Sequence, residues 1–224
     1  CMTRTRRILV LEFISAGGLG EAASTEPAGV AGEPLLAQGV RMRDALLGEL
    51  SALPGLEISV ADAGLAPPPA HPPMPVRAAA VQRLPTTGVA DLAAWLRARQ
   101  ADFDLVWVIA PETDDCLLTL CAAVAPARWI GCSADAIWLA TSKTRTREHL
   151  AAQGIATPQA WAPGWPAPAQ PGRWVLKPDD GAGSEHTRVF ADFAAARAAL
   201  AAAVAPGGLD AAQADAGLPP RWTL

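Results

Sequence analysis

Asparagine and tyrosine are absent from this 224-residue chain, and it holds two lysines, three histidines, four cysteines and four phenylalanines. Each shortage excludes something. Cysteines at positions 1, 116, 121 and 132 fit no metal-ligand spacing. Cys116 and Cys121 fall in an apolar helical run and read as buried free thiols, which suit a reducing cytoplasm. His71, His149 and His186 share no local spacing, so neither a metal centre nor a catalytic triad is expected from them. No stretch approaches the ~20 uninterrupted apolar residues of a membrane span. The net charge is −4 and no Lys/Arg cluster occurs, which argues against nucleic acid or an anionic membrane as partner. Charged residues make up 18% and apolar ones 51%, too apolar a balance for a disordered chain.

What remains is rich in alanine, with 50 residues, and in arginine, with 16. Lysine, asparagine and tyrosine share AT-rich codons, so a GC-rich genome accounts for their scarcity without a physical demand. The two lysines that survive, Lys143 and Lys177, therefore draw attention, because arginine serves at every other basic position. The length suits one large domain or two small ones, able to bury roughly 70% of the unfolded surface.

Apolar patterning gives an alternation of strands and helices. Residues 8–14 read as a first buried strand; Glu12 interrupts the run, which a secretory signal would not allow. A Pro/Gly/Ala stretch runs to residue 34. A helix over 35–50, a strand over 56–61 and a Pro-rich loop over 66–75 follow. Next come a helix over 90–99, a strand over 104–110, a helix over 114–124, a short strand at 129–131 and a helix from 133 to 139. Beyond that the pattern changes. Ser142 caps a helix over 142–153 that stops at Gly154; residues 157–161 are extended; strands cover 173–177 and 186–190 around a glycine-rich turn at 179–184. An alanine-rich helix spans 191–204, and residues 221–224 start another strand.

The strongest local signal is Trp174-Val175-Leu176-Lys177-Pro178-Asp179-Asp180-Gly181-Ala182-Gly183-Ser184. A glycine-rich turn lets backbone N–H groups approach phosphate oxygens closely, and a lysine at its root adds a point charge. Because the turn joins two strands it is not a P-loop, which must enter a helix. An ordinary hairpin turn is the plain alternative. Lys143 opens a helix, where the helix dipole prefers anions. An anionic ligand nearby would relieve that misfit, while a solvated surface lysine is the plain alternative.

Ser142-Lys143-Thr144, His149-Leu150, Gly154-Ile155-Ala156-Thr157-Pro158 and the stretch from Trp174 to Ser184 together resemble the ATP-grasp superfamily. In that family a lysine opens this helix, a G-I/V-x-x-P turn follows, and a second lysine ends a strand before a glycine-rich flap; both lysines bind ATP phosphates. The resemblance implies that Lys143, Lys177, Asp180, Gly181, Gly183 and Ser184 bind ATP. Leu11-Glu12-Phe13-Ile14-Ser15-Ala16-Gly17-Gly18, Ile109-Ala110-Pro111-Glu112-Thr113-Asp114 and Ile130-Gly131-Cys132-Ser133 look like a subgroup near the tyramine–glutamate ligases of methanofuran biosynthesis, whose bacterial relatives serve one-carbon cofactor pathways. The implied fold is α/β: a mostly parallel, Rossmann-like pre-ATP-grasp domain flanked by helices over 1–138, then a small α+β ATP-grasp subdomain over 139–205, then a loose tail over 206–224. Complete members continue with an acidic residue and an asparagine that hold Mg²⁺. Here the last glutamate is Glu185 and only Asp192, Asp210 and Asp215 follow. The C-terminal ATP-grasp portion is therefore expected to be missing, with the metal ligands beyond the C-terminus and none in this chain.

The implied activity is an ATP-dependent carboxylate–amine ligase working through an acylphosphate. Its substrates would be an amino acid such as glutamate and an amine, and the 224-residue chain alone is expected to be inactive. The rival is a non-catalytic nucleotide- or partner-binding module, or a split-enzyme subunit, on the same scaffold. The blandest option is an α/β domain in which two lysines coincide with a motif by accident. Gly17-Gly18-Leu19-Gly20 lacks full dinucleotide-binding spacing, yet a glycine turn at the carboxyl end of a strand is a natural ligand position. Gly17, Gly18, Glu112 and Asp114 are thus candidate substrate residues; helix capping serves Glu112 and Asp114 equally well. An unfinished sheet edge after residue 190 would promote association into a homo-oligomer.

Overall fold

A computed structural model describes residues 4–19, 32–65, 81–169, 171–181, 186–204 and 222–224. Contacts divide the chain into two units, Cys1–Pro111 with Cys116–Ala134 and Glu112–Asp115 with Asp135–Leu224.

In the first unit, β1 (Arg6–Glu12), β2 (Leu56–Asp62), β3 (Val81–Pro85), β4 (Leu105–Ile109) and β5 (Trp129–Ile130) form one parallel sheet in the order β3-β2-β1-β4-β5. Helices α1 (Gly32–Ser51), α2 (Leu92–Arg99) and α3 (Cys116–Ala122) flank it. Side chains alternate across a strand, so a parallel sheet covered on both faces needs apolar residues at every central position. β1 meets that demand. Ile8 and Val10 pack with Leu47 and Leu50 of α1, while Leu9 and Leu11 pack with Leu92 and Leu96 of α2 and Leu120 of α3. Asp91 caps α2, its carboxylate accepting from Ala94 N at 2.9 Å.

β1 ends two residues earlier than its apolar run predicts. The Glu12 carboxylate is buried and accepts from Ile14 N at 3.1 Å and Ser15 N at 2.7 Å, which turns the chain out of the sheet. Gly39 of α1 sits against that carboxylate; a Cβ there would lie 2.6 Å from it. β3 is absent from the sequence-based reading. It is an edge strand pairing only with β2, so exposed Gln82 and Arg83 and a terminal Pro85 are tolerated and no apolar run marks it. The crest at the carboxyl ends is laced by backbone bonds, Ala63 N to Ser15 O at 3.1 Å and Thr86 N to Asp62 O at 3.0 Å. Burial alone would raise the Asp62 carboxyl, but the Gly64 N–H bond, the Arg83 bond and the Arg43 and Arg83 charges outweigh it and hold it below the usual value.

In the second unit, β6 (Trp174–Pro178), β7 (Arg188–Phe190) and β8 (Trp222–Thr223) form an antiparallel sheet in the order β7-β6-β8. Helices α5 (Lys143–Ala152) and α6 (Phe193–Ala203) belong to it. The sequence-based boundary at 138/139 falls inside α4 (Ala134–Thr141). Trp174, Leu176, Ala196, Leu200 and Leu224 build the core. Phe193 meets Trp161 and Trp174 edge-on, at centroid distances of 5.2 and 5.1 Å. Residues 157–161 form no strand. β7 starts at 188 because His186 is left-handed, with φ 56°. The Pro-rich loop expected over 66–75 and the tail over 206–221 lie outside the described residues. Together the sheets and helices make an α/β fold, a parallel five-stranded sheet flanked by helices followed by a smaller α+β unit. Among the described residues no helix is long and apolar enough to cross a membrane.

Candidate functional site

The start of α5 and the turn after β6 are tied together chiefly by Asp179. Ser142 is extended and caps α5, its Oγ accepting from Arg145 N at 3.1 Å. The same Oγ donates to Asp179 Oδ2, and Thr144 N donates to Asp179 Oδ1 at 2.8 Å. Lys143 N donates to the Asp179 carbonyl at 2.9 Å. Lys143 Nζ donates to the carbonyls of Asp179 and Gly181, both at 3.2 Å. Gly181 has φ +104°, a conformation that favours glycine. A lysine at a helix start opposes the dipole; Asp179 places a carboxylate there and offsets it.

The electrostatics follow from this arrangement. Burial lowers the Lys143 pKa and the nearby Lys177 charge lowers it further, while Asp179, Asp180 and Glu112 act the other way. Burial would raise the Asp179 carboxyl, but the Ser142 and Thr144 bonds and the Lys143 charge prevail and lower it.

Lys143 and Lys177 line one cavity of about 710 Å³ in the second unit. Arg147 and Arg173 line it too, and among the described residues no acidic one lines it. Arg147 lies one helical turn after Lys143, on the same face of α5, and its Nε is buried without a hydrogen-bond partner. Thr157, Gln159, Trp174 and Thr223 complete the wall. Such a cavity suits an anion larger than a single phosphate. Neither arginine figured in the sequence-based reading, although the i+4 spacing from Lys143 could have pointed to Arg147. Nothing pointed to Arg173, because arginine is the ordinary basic residue of this chain.

The other candidates divide between the units. Asp180 is buried, and Asp114 N donates to its Oδ2 at 3.4 Å. Glu112 is close enough to Lys143 to act on its charge. The helix expected from 114 begins at Cys116, because Asp114 and Asp115 are left-handed, with φ 53° and 54°. Gly183 and Ser184 lie outside the described residues. Gly17 and Gly18 stand in the first unit, and each has a steric reason to be glycine. Gly17 has φ +86° and a Cβ there would touch Ala63, while a Cβ on Gly18 would lie 2.5 Å from the Phe13 ring.

Among the described residues no group of three or more His, Cys, Asp and Glu can hold a metal ion, so Mg²⁺ finds no ligand set in them. His149 lies in the last turn of α5, His186 is exposed in the turn before β7, and His71 lies outside the described residues. Cys116, Cys121 and Cys132 are in no disulfide; Cys116 is half-buried rather than buried, Cys132 is exposed, and burial pushes the Cys121 thiol up.

Among solved structures the chain is similar to the crystal structure of L-amino acid ligase from Bacillus licheniformis, with 16% identity and a TM-score of 0.45. The likeness covers 88% of this chain and 42% of that one, so the chain spans less than half of that ligase's length. No match to a curated protein was found. Residues 58–137 match the family described as the pre ATP-grasp 3 domain.

Proposed function

We propose that this chain is part of an ATP-dependent carboxylate–amine ligase of ATP-grasp type. The observation that carries the reading is the cavity lined by Lys143, Arg147, Arg173 and Lys177 and, among the described residues, by no acidic one, in a chain of net charge −4. The match of residues 58–137 to a pre-ATP-grasp domain and the motif likeness around Lys143 and Lys177 support it. ATP, when bound, would supply the γ-phosphoryl group that turns a carboxylate into an acylphosphate, which an amine then converts to an amide with release of phosphate. Lys143 and Lys177 would hold the phosphates and neutralise their charge. Asp180, Gly181, Gly183 and Ser184 would form the flap over them. Burial of Lys143 beside Lys177 stores like-charge repulsion that an arriving anion relieves. Gly17, Gly18, Glu112 and Asp114 are proposed to hold the acid or the amine. The domain assignment proposed is pre-ATP-grasp over 1–138 and ATP-grasp small subdomain over 139–205.

The acid is proposed to be an amino acid such as glutamate, in one-carbon cofactor synthesis, on the motif likeness of residues 11–18, 109–114 and 130–133. A reducing cytoplasm is the proposed compartment, supported by the free thiols. The rival reading is a nucleotide-binding module without turnover on the same scaffold. Assay of the full protein with ATP, candidate amino acids and amines separates the two. The ligase reading expects ADP, phosphate and amide in equal amounts, lost in Lys143→Ala and Lys177→Ala. Unchanged kinetics in both variants would refute the assignment. ATP binding without product supports the module.

A further inference from the structure

Asp179 is the residue through which the helix that carries Lys143 and the strand that carries Lys177 hold each other. We propose that Asp179 is the positioning residue of the anion-binding pair: it fastens the start of α5 to the turn after β6, so that both lysines line the same cavity. The inference rests on the reading of Lys143 and Lys177 as a phosphate-holding pair. It assigns Asp179 a role distinct from that of a flap residue.

The geometry is specific. Asp179 takes both oxygens of its carboxylate to the α5 start, one from Ser142 Oγ and one from Thr144 N, and gives its carbonyl to Lys143 N and Nζ. Ser142 Oγ passes the link on to Arg145 N. With a carboxylate already at the helix start, the α5 end is taken by the protein's own anion. Contact with a ligand phosphate then falls to Lys143 Nζ, which in this structure rests on the carbonyls of Asp179 and Gly181. Those carbonyls act as a parking place: they hold the ammonium through neutral acceptors and release it to a stronger, charged one. Charged groups face Lys143 from every side: Lys177 on β6, Asp179 and Asp180 on the turn, Glu112 on the 112–115 segment, and Arg147 on its own helix, in the same cavity lining.

The chain has only two lysines, so lysine labelled with ¹³C at Cε gives two signals, assigned by Lys143→Arg. Two variants separate position from charge. Asp179→Ala removes both carboxylate bonds and leaves the α5 start held only by the main-chain carbonyls of residues 179 and 181, so α5 loosens, Lys143 spends less time in its half-buried place beside Lys177, and its titration midpoint rises toward the ordinary lysine value. Asp179→Asn keeps an acceptor for Thr144 N and offers an amide to Ser142 Oγ, but removes the negative charge, so the Lys143 midpoint falls below that of the unaltered chain. Opposite movements are the expected result. Movement in the same direction, or a Lys143 midpoint unmoved in Asp179→Asn, overturns the proposal. If Asp179→Ala does not fold, Asp179→Asn alone decides. Inorganic tripolyphosphate and ATP are titrated in parallel. Affinity should drop about tenfold or more in Asp179→Ala and less in Asp179→Asn. Equal affinity in Asp179→Ala and the unaltered chain overturns the positioning role. If the unaltered chain binds neither probe, the ligase reading fails, while the lysine titration still judges the role of Asp179.

Discussion

Two residues show how the sequence's rare and common members differ in legibility. Lys143 and Lys177 could be singled out because lysine occurs nowhere else in the chain. Arg147 and Arg173 share the same cavity, yet one arginine among 16 carries no such signal. Asp179 stood inside the glycine-rich motif, but its partners Ser142 and Thr144 lie more than 30 residues away, and nothing local announces that pairing. Gly39 makes the same point in the other unit. Gly→Ala inside a helix ordinarily stabilises by up to about 1 kcal/mol. Here the new Cβ would lie 2.6 Å from a buried carboxylate that Ile14 N and Ser15 N hold in place. Gly39→Ala should therefore destabilise, by about 1–3 kcal/mol, as read by urea unfolding. A stabilised variant would show that Glu12 is free to move aside.

Elements were legible where they are buried on both faces or clearly capped. β1, β2 and β4 show as apolar runs, and α5 is bracketed by Ser142 and Gly154. β3 left no trace because an edge strand can carry Gln82, Arg83 and Pro85. The left-handed Asp114 and Asp115 shifted the start of α3, a backbone choice that propensity does not foresee. Two expectations belong to this scale. Leu96 is fully buried between α2 and the sheet, so Leu96→Ala should cost about 2–5 kcal/mol in calorimetric or denaturant unfolding. The α5 start should also respond to acid. The Asp179 carboxyl lies below its unfolded value, so its contribution is fully present above the ordinary carboxylate range and is lost as pH falls through the lowered pKa. Acid unfolding of the unaltered chain should therefore be steeper below about pH 4 than that of Asp179→Asn, from which this titration has been removed. Coincident acid limbs would show that Asp179 titrates alike in both states.

At the scale of the whole molecule, an acidic chain places both of its lysines and two of its 16 arginines around one cavity. Net charge −4 argues against a polyanion partner, while a cavity lined by four basic side chains and, among the described residues, no acidic one argues for a small anion of high charge. Salt screens the attraction between a triphosphate and these basic side chains, so affinity should fall as ionic strength rises. The most direct test of this account is isothermal calorimetry of ATP against the unaltered chain and against the Lys143→Ala/Lys177→Ala double variant, with circular dichroism to confirm that both are folded. The account predicts one binding event in the unaltered chain and none in the double variant. Equal binding in both, or no binding in a folded unaltered chain, would contradict it.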